Sequence, residues 1–297
     1  MTRAAQSGGR ILCIGAAHWD VIGHAGGAVA RGDDLPGRVH RAPGGVALNL
    51  ALWLRQEGLD VDLLSALGDD AAGRELLAQI TARGIGCDRV LRMPGQVTGS
   101  YVAIEDAAGL VAAVADTAAM DAAGPELLAS LWGSAPIRLT VIDGNLDAAV
   151  LTAAAALPAL GAAELCMAGA SPAKARQLRG VLGHPTLALY LNRAEAGQFC
   201  GTNFDDSPQA ALGLRAMGAA AALVTDGARP AAWADATDCV TAEPPRVRAA
   251  RITGAGDCVM AAHIAARLRG LEPETALAYA LERAAAHISL GTLTCMP

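Results

Sequence analysis

The segment Thr253-Gly254-Ala255-Gly256-Asp257 runs directly into an apolar stretch, Cys258 to Leu268. The two glycines around an alanine leave three backbone N–H groups unobstructed where a helix is predicted to begin. Because the positive end of a helix dipole favours anions, this turn is suited to binding a phosphate. Asp257 in the first helical turn would lie beside that phosphate, where it could accept a proton from an attacking hydroxyl. The alternative is an Asp that only caps the helix.

The composition indicates a globular chain with a large core. Of its 297 residues, 53% are hydrophobic and only 3% aromatic, and the bias towards Ala, Arg and Gly is typical of a GC-rich genome. A net charge of −6 without a basic block argues against a nucleic-acid partner. The apolar segment 148–163 is mostly alanine and contains Pro158, so a membrane span is not expected, and the first ten residues lack the core of a signal peptide.

The cysteines and histidines predict neither a metal site nor a disulfide framework. The seven cysteines are scattered without a C-x-x-C pair, and the six histidines show no spacing typical of metal ligands. Most of the cysteines lie in apolar runs and are interpreted as small core residues. A reducing cytoplasm is the expected location.

Short apolar runs alternate with helical periodicities along most of the chain. Strands are predicted at residues 10–15, 60–66, 138–142, 164–168, 186–191 and 221–225. Helices are predicted at residues 44–58, 71–83, 147–157, 172–182, 193–200, 208–217, 256–269 and 273–290. Repeated strand–helix units with hydrophobic strands predict a mainly parallel sheet covered by helices on both faces.

Two segments depart from this alternation and predict a small β lid. Residues 99–105 and 110–115 flank Asp106-Ala107-Ala108-Gly109, which is a hairpin signal, and residues 23–43 form a long loop pattern. We expect one domain over residues 1–297, with lid segments at approximately 16–43 and 97–118.

The common nucleotide-binding motifs are missing from the sequence. A P-loop needs a Gly-Lys pair, but Lys174 is the only lysine and follows Ala173. No G-x-G-x-x-G follows the first predicted strand, so a dinucleotide site is not indicated. If the protein uses ATP, its phosphates are held without a P-loop lysine.

Two segments near the amino terminus are suited to a polyhydroxyl ligand. Pro43-Gly44-Gly45 opens a predicted helix that carries Asn49, whose amide can both donate and accept hydrogen bonds to sugar hydroxyls. Asp20 follows the first strand, at the edge where α/β sheets bind ligands, and could accept from a vicinal diol. A glycine-rich helix start with a solvated Asn, and an ordinary Asp in a turn, are the alternatives.

Two further motifs follow predicted strands in the second half of the chain. Asn192 and Glu195 are three residues apart at a helix start, so they either organise the water shell of Mg²⁺ or form a capping box. Thr225-Asp226-Gly227 ends the next strand and either meets a nucleotide or forms a turn.

In order and spacing, these motifs resemble the ribokinase-like (PfkB) carbohydrate kinases over essentially the whole chain. The lid segments, Leu35-Pro36-Gly37-Arg38-Val39, Thr98-Gly99-Ser100-Tyr101 and Val114-Ala115-Asp116, are most similar to the bacterial pseudouridine kinases of that family. The resemblance implies a three-layer α/β sandwich of nine or ten strands with a β lid. It also implies ATP-dependent phosphorylation of a hydroxymethyl group, with Mg²⁺ and a monovalent cation as candidate cofactors.

The resemblance also implies a role for each motif residue. Asp257 would be the base and Gly254, Ala255 and Gly256 the anion hole. The substrate would be held by Asp20, Gly44, Gly45, Asn49, Asp116 and Asp143, with Asp116 near the base-recognition region and Asp143 on the pocket floor. The nucleotide would contact Thr225, Gly227 and Thr253, and Asn192 and Glu195 would act on the metal through water.

Two departures from the family pattern fall on the nucleotide side. Pro230 stands where a second glycine is usual, and Ala168-Gly169 replaces an Asp-Pro pair. We expect transfer of the ATP γ-phosphoryl group to the 5′-hydroxyl of a ribosyl nucleoside, with pseudouridine as the favoured acceptor. A kinase for ribose, fructose, adenosine or a similar acceptor, and a weakly active nucleoside sensor, are the alternatives. A lid strand could also pair with its copy in a homodimer.

Overall fold

The computed structural model describes residues 10–131, 137–161, 163–169, 171–247 and 254–289. In chain order the strands are β1 (Ile11–Ile14), β2 (His18–Ala25), β3 (Gly37–Gly44), β4 (Val61–Leu64), β5 (Ala66–Gly68), β6 (Leu91–Met93), β7 (Ser100–Asp106), β8 (Gly109–Asp116), β9 (Leu139–Ile142), β10 (Glu164–Ala168), β11 (Ala188–Asn192), β12 (Ala221–Asp226), β13 (Arg229–Ala234) and β14 (Cys239–Ala242). The α-helices are α1 (Val46–Gln56), α2 (Ala71–Ala82), α3 (Ala118–Ala123), α4 (Ala148–Ala155), α5 (Arg193–Cys200), α6 (Ser207–Ala216), α7 (Ala255–Leu268) and α8 (Pro273–Ser289).

The main sheet has the order β14-β13-β12-β11-β10-β9-β1-β4 and is parallel from β12 to β4. This confirms the predicted mainly parallel sheet, which has eight strands within the described residues, where the resemblance implied nine or ten. The antiparallel strands β13 and β14 were missed because RPAAWA contains no β-branched residue and CVTA is only four residues long. Pro230 lies where the β12–β13 register shifts, a position at which a strand tolerates proline.

Helices cover both faces of the main sheet, giving three layers with an apolar core on each side. One core joins α1, α2, α7 and α8 to the sheet through side chains such as Leu50, Ile80 and Leu277. The other joins α4, α5 and α6 through side chains such as Leu151 and Phe199. The segment predicted as helix 172–182 is instead a 3-10 helix at Ala175–Val181, and a second 3-10 helix spans Gly124–Leu131.

A separate four-stranded sheet, which we call the lid, has the order β3-β2-β7-β8. The β2–β3 and β7–β8 pairs are antiparallel and β2–β7 is parallel. Trp19 attaches this sheet to α2, since it is buried and its indole N–H donates to the Ala72 carbonyl at 3.0 Å. The predicted small β sheet is thus present, and its strand β3 runs one residue beyond the expected segment 16–43, to Gly44.

Among the helices that the structure describes, none is long and apolar enough to cross a membrane.

Candidate active site

Two cavities meet at the start of α7. The first, about 470 Å³, lies between the lid and the carboxyl ends of β1 and β9, and we call it the acceptor cavity. The second, about 400 Å³, lies beyond the ends of β10, β11 and β12, and we call it the donor cavity. Gly254 and Asp257 line both cavities. The segment singled out in the sequence therefore lies where a molecule in one cavity would meet a molecule in the other.

The first turn of α7 is open towards the donor cavity. Gly254 precedes the helix with φ 78°, a left-handed conformation that strongly favours glycine. Gly254, Ala255 and Gly256 all line the cavity, and a Cβ built on Gly256 would meet nothing within 4 Å. The unpaired N–H groups expected at a helix start are thus accessible to an anion. Thr253, which was expected to contact the nucleotide, lies outside the described residues.

Asp257 is oriented by Asn49 of α1, whose Nδ2 donates to Asp257 Oδ2 at 3.2 Å. Burial at the junction of the cavities raises the pKa of Asp257 to about 7; the Asn49 hydrogen bond opposes the increase, and the negative charges of Asp143, Asp20 and Glu195 add to it. A carboxylate with a pKa near neutrality is well matched to accept a proton from a hydroxyl. Asp257 and Asn49, which the sequence indicated separately, are thus brought together from distant parts of the chain.

The start of α1 is packed tightly against the loop that follows β1. Gly45 has φ 101°, and a Cβ there would lie 2.4 Å from the Ala16 carbonyl oxygen. Gly44 does not line the acceptor cavity, but a Cβ on it would lie 2.2 Å from the Asp20 carboxylate. Asp20 does line the cavity, and its Oδ1 lies 3.1 Å from His18 Nε2. The two glycines therefore make room for the chain segments that carry Asp20.

Asp143 forms the floor of the acceptor cavity at the end of β9. It is fully buried, and burial raises the pKa of its carboxyl group. Oδ2 accepts from the Ala16 N–H at 3.1 Å, and Oδ1 accepts from the backbone and side chain of Asn145 at 2.8 and 2.9 Å. Asp143 therefore holds two loops of the cavity in place.

Asp116 does not line the acceptor cavity, contrary to its predicted place near the base-recognition region. Successive side chains of a strand point to opposite faces, and Ala115 of β8 lines the cavity, so Asp116 lies on the other face. Its exposed carboxylate instead accepts from the Ala118 N–H at 3.1 Å, at the start of α3. The short sequence match could not reveal which way β8 faces.

The donor cavity contains the four other motif residues of the nucleotide side: Thr225, Gly227, Asn192 and Glu195. Asn192 and Glu195 form the capping box of α5, because the Asn192 side chain accepts from the Glu195 N–H and Glu195 Oε2 accepts from the Asn192 N–H, each at 2.9 Å. The helix-end role that we weighed against a metal role is therefore present. Burial raises the pKa of Glu195, which still lines the cavity.

The two departures from the family pattern have different places in the structure. Gly169 is close to Glu195, since a Cβ on Gly169 would lie 2.4 Å from Glu195 Oε2, so a larger residue there would displace this carboxylate. Pro230 follows Arg229, and its carbonyl accepts from Ser207 Oγ at 2.6 Å. Much of the remaining donor-cavity wall is apolar: Leu223, Pro244, Pro245, Val259, Met260, Leu281 and Ile288.

Several acceptor-cavity residues were not singled out for this site from the sequence. They come from the lid, from α3 and from the loops after β9 and β10, and are His18, Tyr101, Asp121, Asn145, Asp147 and Lys174. Only His18 and Asn145 have a recognisable signal, because each lies within four residues of the carboxyl end of a strand, at the ligand-binding edge of the sheet.

Comparison with known proteins assigns this architecture to a family. The model of the pfkB family carbohydrate kinases matches residues 9–297. This chain belongs to the PfkB family of carbohydrate kinases. It is similar to the pseudouridine kinase of Escherichia coli, with 36% identity over 120 residues, which are 40% of this chain and 38% of that protein. The matched region is thus well under half of that relative's length.

Solved structures agree with the fold of this PfkB kinase. A carbohydrate kinase from Agrobacterium tumefaciens is 28% identical with a TM-score of 0.80, covering 96% of this chain and 92% of its own. A Cryptococcus neoformans ribokinase, solved in complex with ADP, has a TM-score of 0.70 at 20% identity and covers 95% of this chain and 94% of its own. The ribokinase-like three-layer fold is therefore shown, and the family model identifies the chain as a PfkB carbohydrate kinase.

Proposed function

We propose that this kinase transfers the γ-phosphoryl group of ATP to the 5′-hydroxyl of a ribosyl nucleoside, with pseudouridine as the acceptor. The observation that carries the proposal is the position of Asp257, on the wall shared by the acceptor and donor cavities and beside the open turn Gly254 to Gly256. A hydroxyl in the first cavity and a phosphate in the second would meet there. The E. coli pseudouridine kinase supplies the choice of nucleoside.

In the proposed reaction, Asp257 accepts the hydroxyl proton as the oxygen attacks the γ-phosphorus, and the bond from that phosphorus to the β–γ bridging oxygen breaks and releases ADP. Asn49 donates to one carboxylate oxygen, Oδ2, which leaves Oδ1 for the hydroxyl. The N–H groups of residues 254–256 face the phosphoryl oxygens, where charge must be stabilised. Most of the rate enhancement then comes from positioning and electrostatic stabilisation, as is general for phosphoryl transfer.

The donor cavity also suits a nucleotide-bound Mg²⁺. Mg²⁺ at such sites keeps several waters and takes one or two carboxylates besides the phosphates. Within the described residues, no group of three or more His, Cys, Asp or Glu side chains could hold a metal alone, whereas the donor cavity presents Glu195 beside Asn192. Mg²⁺ would supply neutralisation of the phosphate charge, and these two residues would hold its waters.

The charges of the acceptor cavity favour an uncharged acceptor. Among the described residues, five carboxyl groups line it, from Asp20, Asp121, Asp143, Asp147 and Asp257, against one lysine, Lys174, and one histidine, His18. A sugar phosphate or sugar acid would meet net negative charge there, while hydroxyl and ring N–H groups would find acceptors. A nucleoside or free sugar is thus favoured over a phosphorylated sugar.

A panel of acceptors tests the proposal with ATP and Mg²⁺ as donor. Pseudouridine, uridine, adenosine, ribose, fructose and fructose 6-phosphate are compared by kcat/KM. We expect pseudouridine to exceed uridine by about tenfold or more, because a site that uses the second ring N–H of pseudouridine leaves an acceptor unpaired with uridine. A higher value for ribose or fructose would reject the nucleoside. Absence of acceptor-dependent ATP turnover, together with tight nucleoside binding, would favour the sensor.

We also propose a homodimer formed through the lid. The lid face opposite the cavity carries exposed apolar side chains at Val39, Val102, Ile104 and Val114, with exposed fractions of 45% or more. Val102 and Val114 are register partners, and Ile104 lies one pleat farther along β7. An apolar sheet face of this kind is suited to a second copy of itself.

A further inference from the structure

Lys174 is the one lysine among the 23 basic residues of the sequence. In a chain whose composition indicates a GC-rich genome, arginine occupies every other basic position, since lysine codons are AT-rich. A surface position that needs only positive charge accepts either residue. Lysine differs in presenting a compact ammonium on a flexible stem, whereas arginine presents a broad planar fork. The single lysine is therefore expected where an ammonium is specifically required.

The structure places this lysine in the acceptor cavity. Lys174 directly precedes the 3-10 helix after β10, and its Nζ lies 3.4 Å from Asn145 Oδ1. Asn145 is itself fixed, because its backbone and side-chain N–H groups both donate to the buried carboxylate of Asp143. The ammonium is thus linked through one amide to the cavity floor.

The two loops that carry Lys174 and Asn145 are joined to each other. Gln177 Nε2, in the first turn of the 3-10 helix, donates to the carbonyls of Gly144 and Leu146 at 3.0 and 3.2 Å. A Cβ on Gly144 would lie 2.4 Å from the Ala168 carbonyl oxygen, so the loops after β9 and β10 are in close contact. These contacts therefore fix the Lys174 backbone relative to the cavity.

Lys174 complements the other polar groups of the cavity. Carboxyl groups that are ionised only accept hydrogen bonds, so they suit hydroxyl and ring N–H groups of an acceptor. A carbonyl oxygen needs a donor instead, and the Lys174 ammonium has three N–H bonds, of which Asn145 takes one. The surrounding negative charge disfavours an anionic partner, so a neutral carbonyl is the group that fits.

We propose that Lys174 selects the acceptor by donating a hydrogen bond to a carbonyl oxygen of its ring. The inference rests on the proposed nucleoside kinase function and specifies a recognition residue of the same site. It assigns to Lys174 the preference for carbonyl-bearing bases, such as that of pseudouridine, over adenosine and over free ribose.

The kinetic test compares Lys174→Ala and Lys174→Arg with the wild type on pseudouridine, adenosine and ribose. We expect Lys174→Ala to raise the KM for pseudouridine by about 10-fold to 100-fold, because a hydrogen bond from a charged donor is lost. The KM values for adenosine and ribose should change by less than about threefold. Lys174→Arg should lose most of the same preference, because the fork is larger than the ammonium. Arg176→Lys, two residues away and outside the cavity, is the matched control and should behave as wild type.

A second measurement uses the wild-type protein and does not depend on turnover. An amine-directed reagent modifies one side chain of this protein, Lys174, and the α-amino group. Pseudouridine should slow modification of Lys174 by about fivefold or more at saturation, while ribose should not.

Different outcomes separate this inference from the proposed function. The recognition role of Lys174 is rejected, and the function stands, if the wild type prefers pseudouridine but Lys174→Ala lowers kcat/KM equally for all three acceptors. The same conclusion follows if Lys174→Arg keeps the full preference for pseudouridine. If the wild type prefers ribose and no nucleoside protects Lys174, both are rejected.

Discussion

Replacing Asp257 by Asn should slow the kinase and stabilise its fold, and the two effects have one cause. Asn is nearly isosteric but cannot accept the proton, so kcat should fall by about 10²-fold to 10⁴-fold. Burial at the junction of the cavities raises the pKa of Asp257 to about 7 from its ordinary value of 3.8. At about 1.4 kcal/mol per pH unit, ionising this carboxylate in the folded protein costs at most about 4 kcal/mol.

The sign of this effect determines the pH range of the experiment. Because the pKa is raised in the folded state, the stabilising contribution is complete below about pH 4 and is lost as the pH rises through about 7. The Asn variant has no such loss. Its melting temperature should therefore exceed the wild-type value by several degrees at pH 8, and this difference should shrink as the pH falls to 4.

The assay combines thermal unfolding at pH 4 to 8 with the pH dependence of kcat/KM for the wild type. Asp205→Asn, which makes the same substitution at an exposed carboxylate, is the matched control. The kcat/KM of the wild type should rise with pH through about 7 as Asp257 ionises. Equal melting temperatures of wild type and Asp257→Asn at pH 8 would refute the burial argument. Retention of more than a tenth of kcat, with chemistry rate-limiting, would remove Asp257 from the base role.

Four further changes test other parts of the structure. Glu195→Gln keeps an oxygen for the Asn192 N–H, so the melting temperature should move by less than about 2 °C. The Mg²⁺ concentration for half-maximal activity should rise several-fold. A lower melting temperature with an unchanged Mg²⁺ requirement would leave only the capping role. Asp116→Ala should leave the kcat/KM ratio of pseudouridine to uridine within about twofold, because its carboxylate faces away from the cavity. Gly45→Ala should lower the free energy of unfolding in urea by about 2 kcal/mol or more, because φ is positive and the Cβ would lie 2.4 Å from the Ala16 carbonyl oxygen. Gly27→Ala, with open space around it, should leave the free energy of unfolding unchanged. Val102→Asp on the outer lid face should give monomers in sedimentation, and an unchanged oligomeric state would reject that interface.

Local patterns were sufficient for most of the fold. The helix that carries Asp257 was predicted at 256–269 and is observed at Ala255–Leu268, because an amphipathic period and a glycine-marked start act within one segment. The buried strands were likewise visible as short apolar runs. The edge hairpin of β13 and β14 was missed because its strands form through pairing with a neighbour rather than through their own composition.

The candidate site was recognised in part, and orientation explains the difference. Gly254, Asp257 and Asn49 could be selected from the sequence because a glycine at a predicted helix start and a polar residue in the first turns of such a helix are recognisable without any tertiary contact. Whether Asp116 faces the cavity depends on the pleat of β8, and whether Lys174 faces it depends on how two loops pack. A shift of one residue in a strand reverses the face, so no short motif could fix either outcome.

The sequence by itself determined the alternation of buried strands and helices, the glycine-marked start of α7 and the family to which the chain belongs, since each rests on residues close together in the chain. Only the tertiary structure decided which carboxylates share the acceptor cavity. The raised pKa of Asp257 shows why: its causes are burial between two cavities and the charges of Asp143, Asp20 and Glu195, which come from the end of β9, from β2 and from the first turn of α5. Their mutual distances depend on long-range packing, which local sequence does not encode.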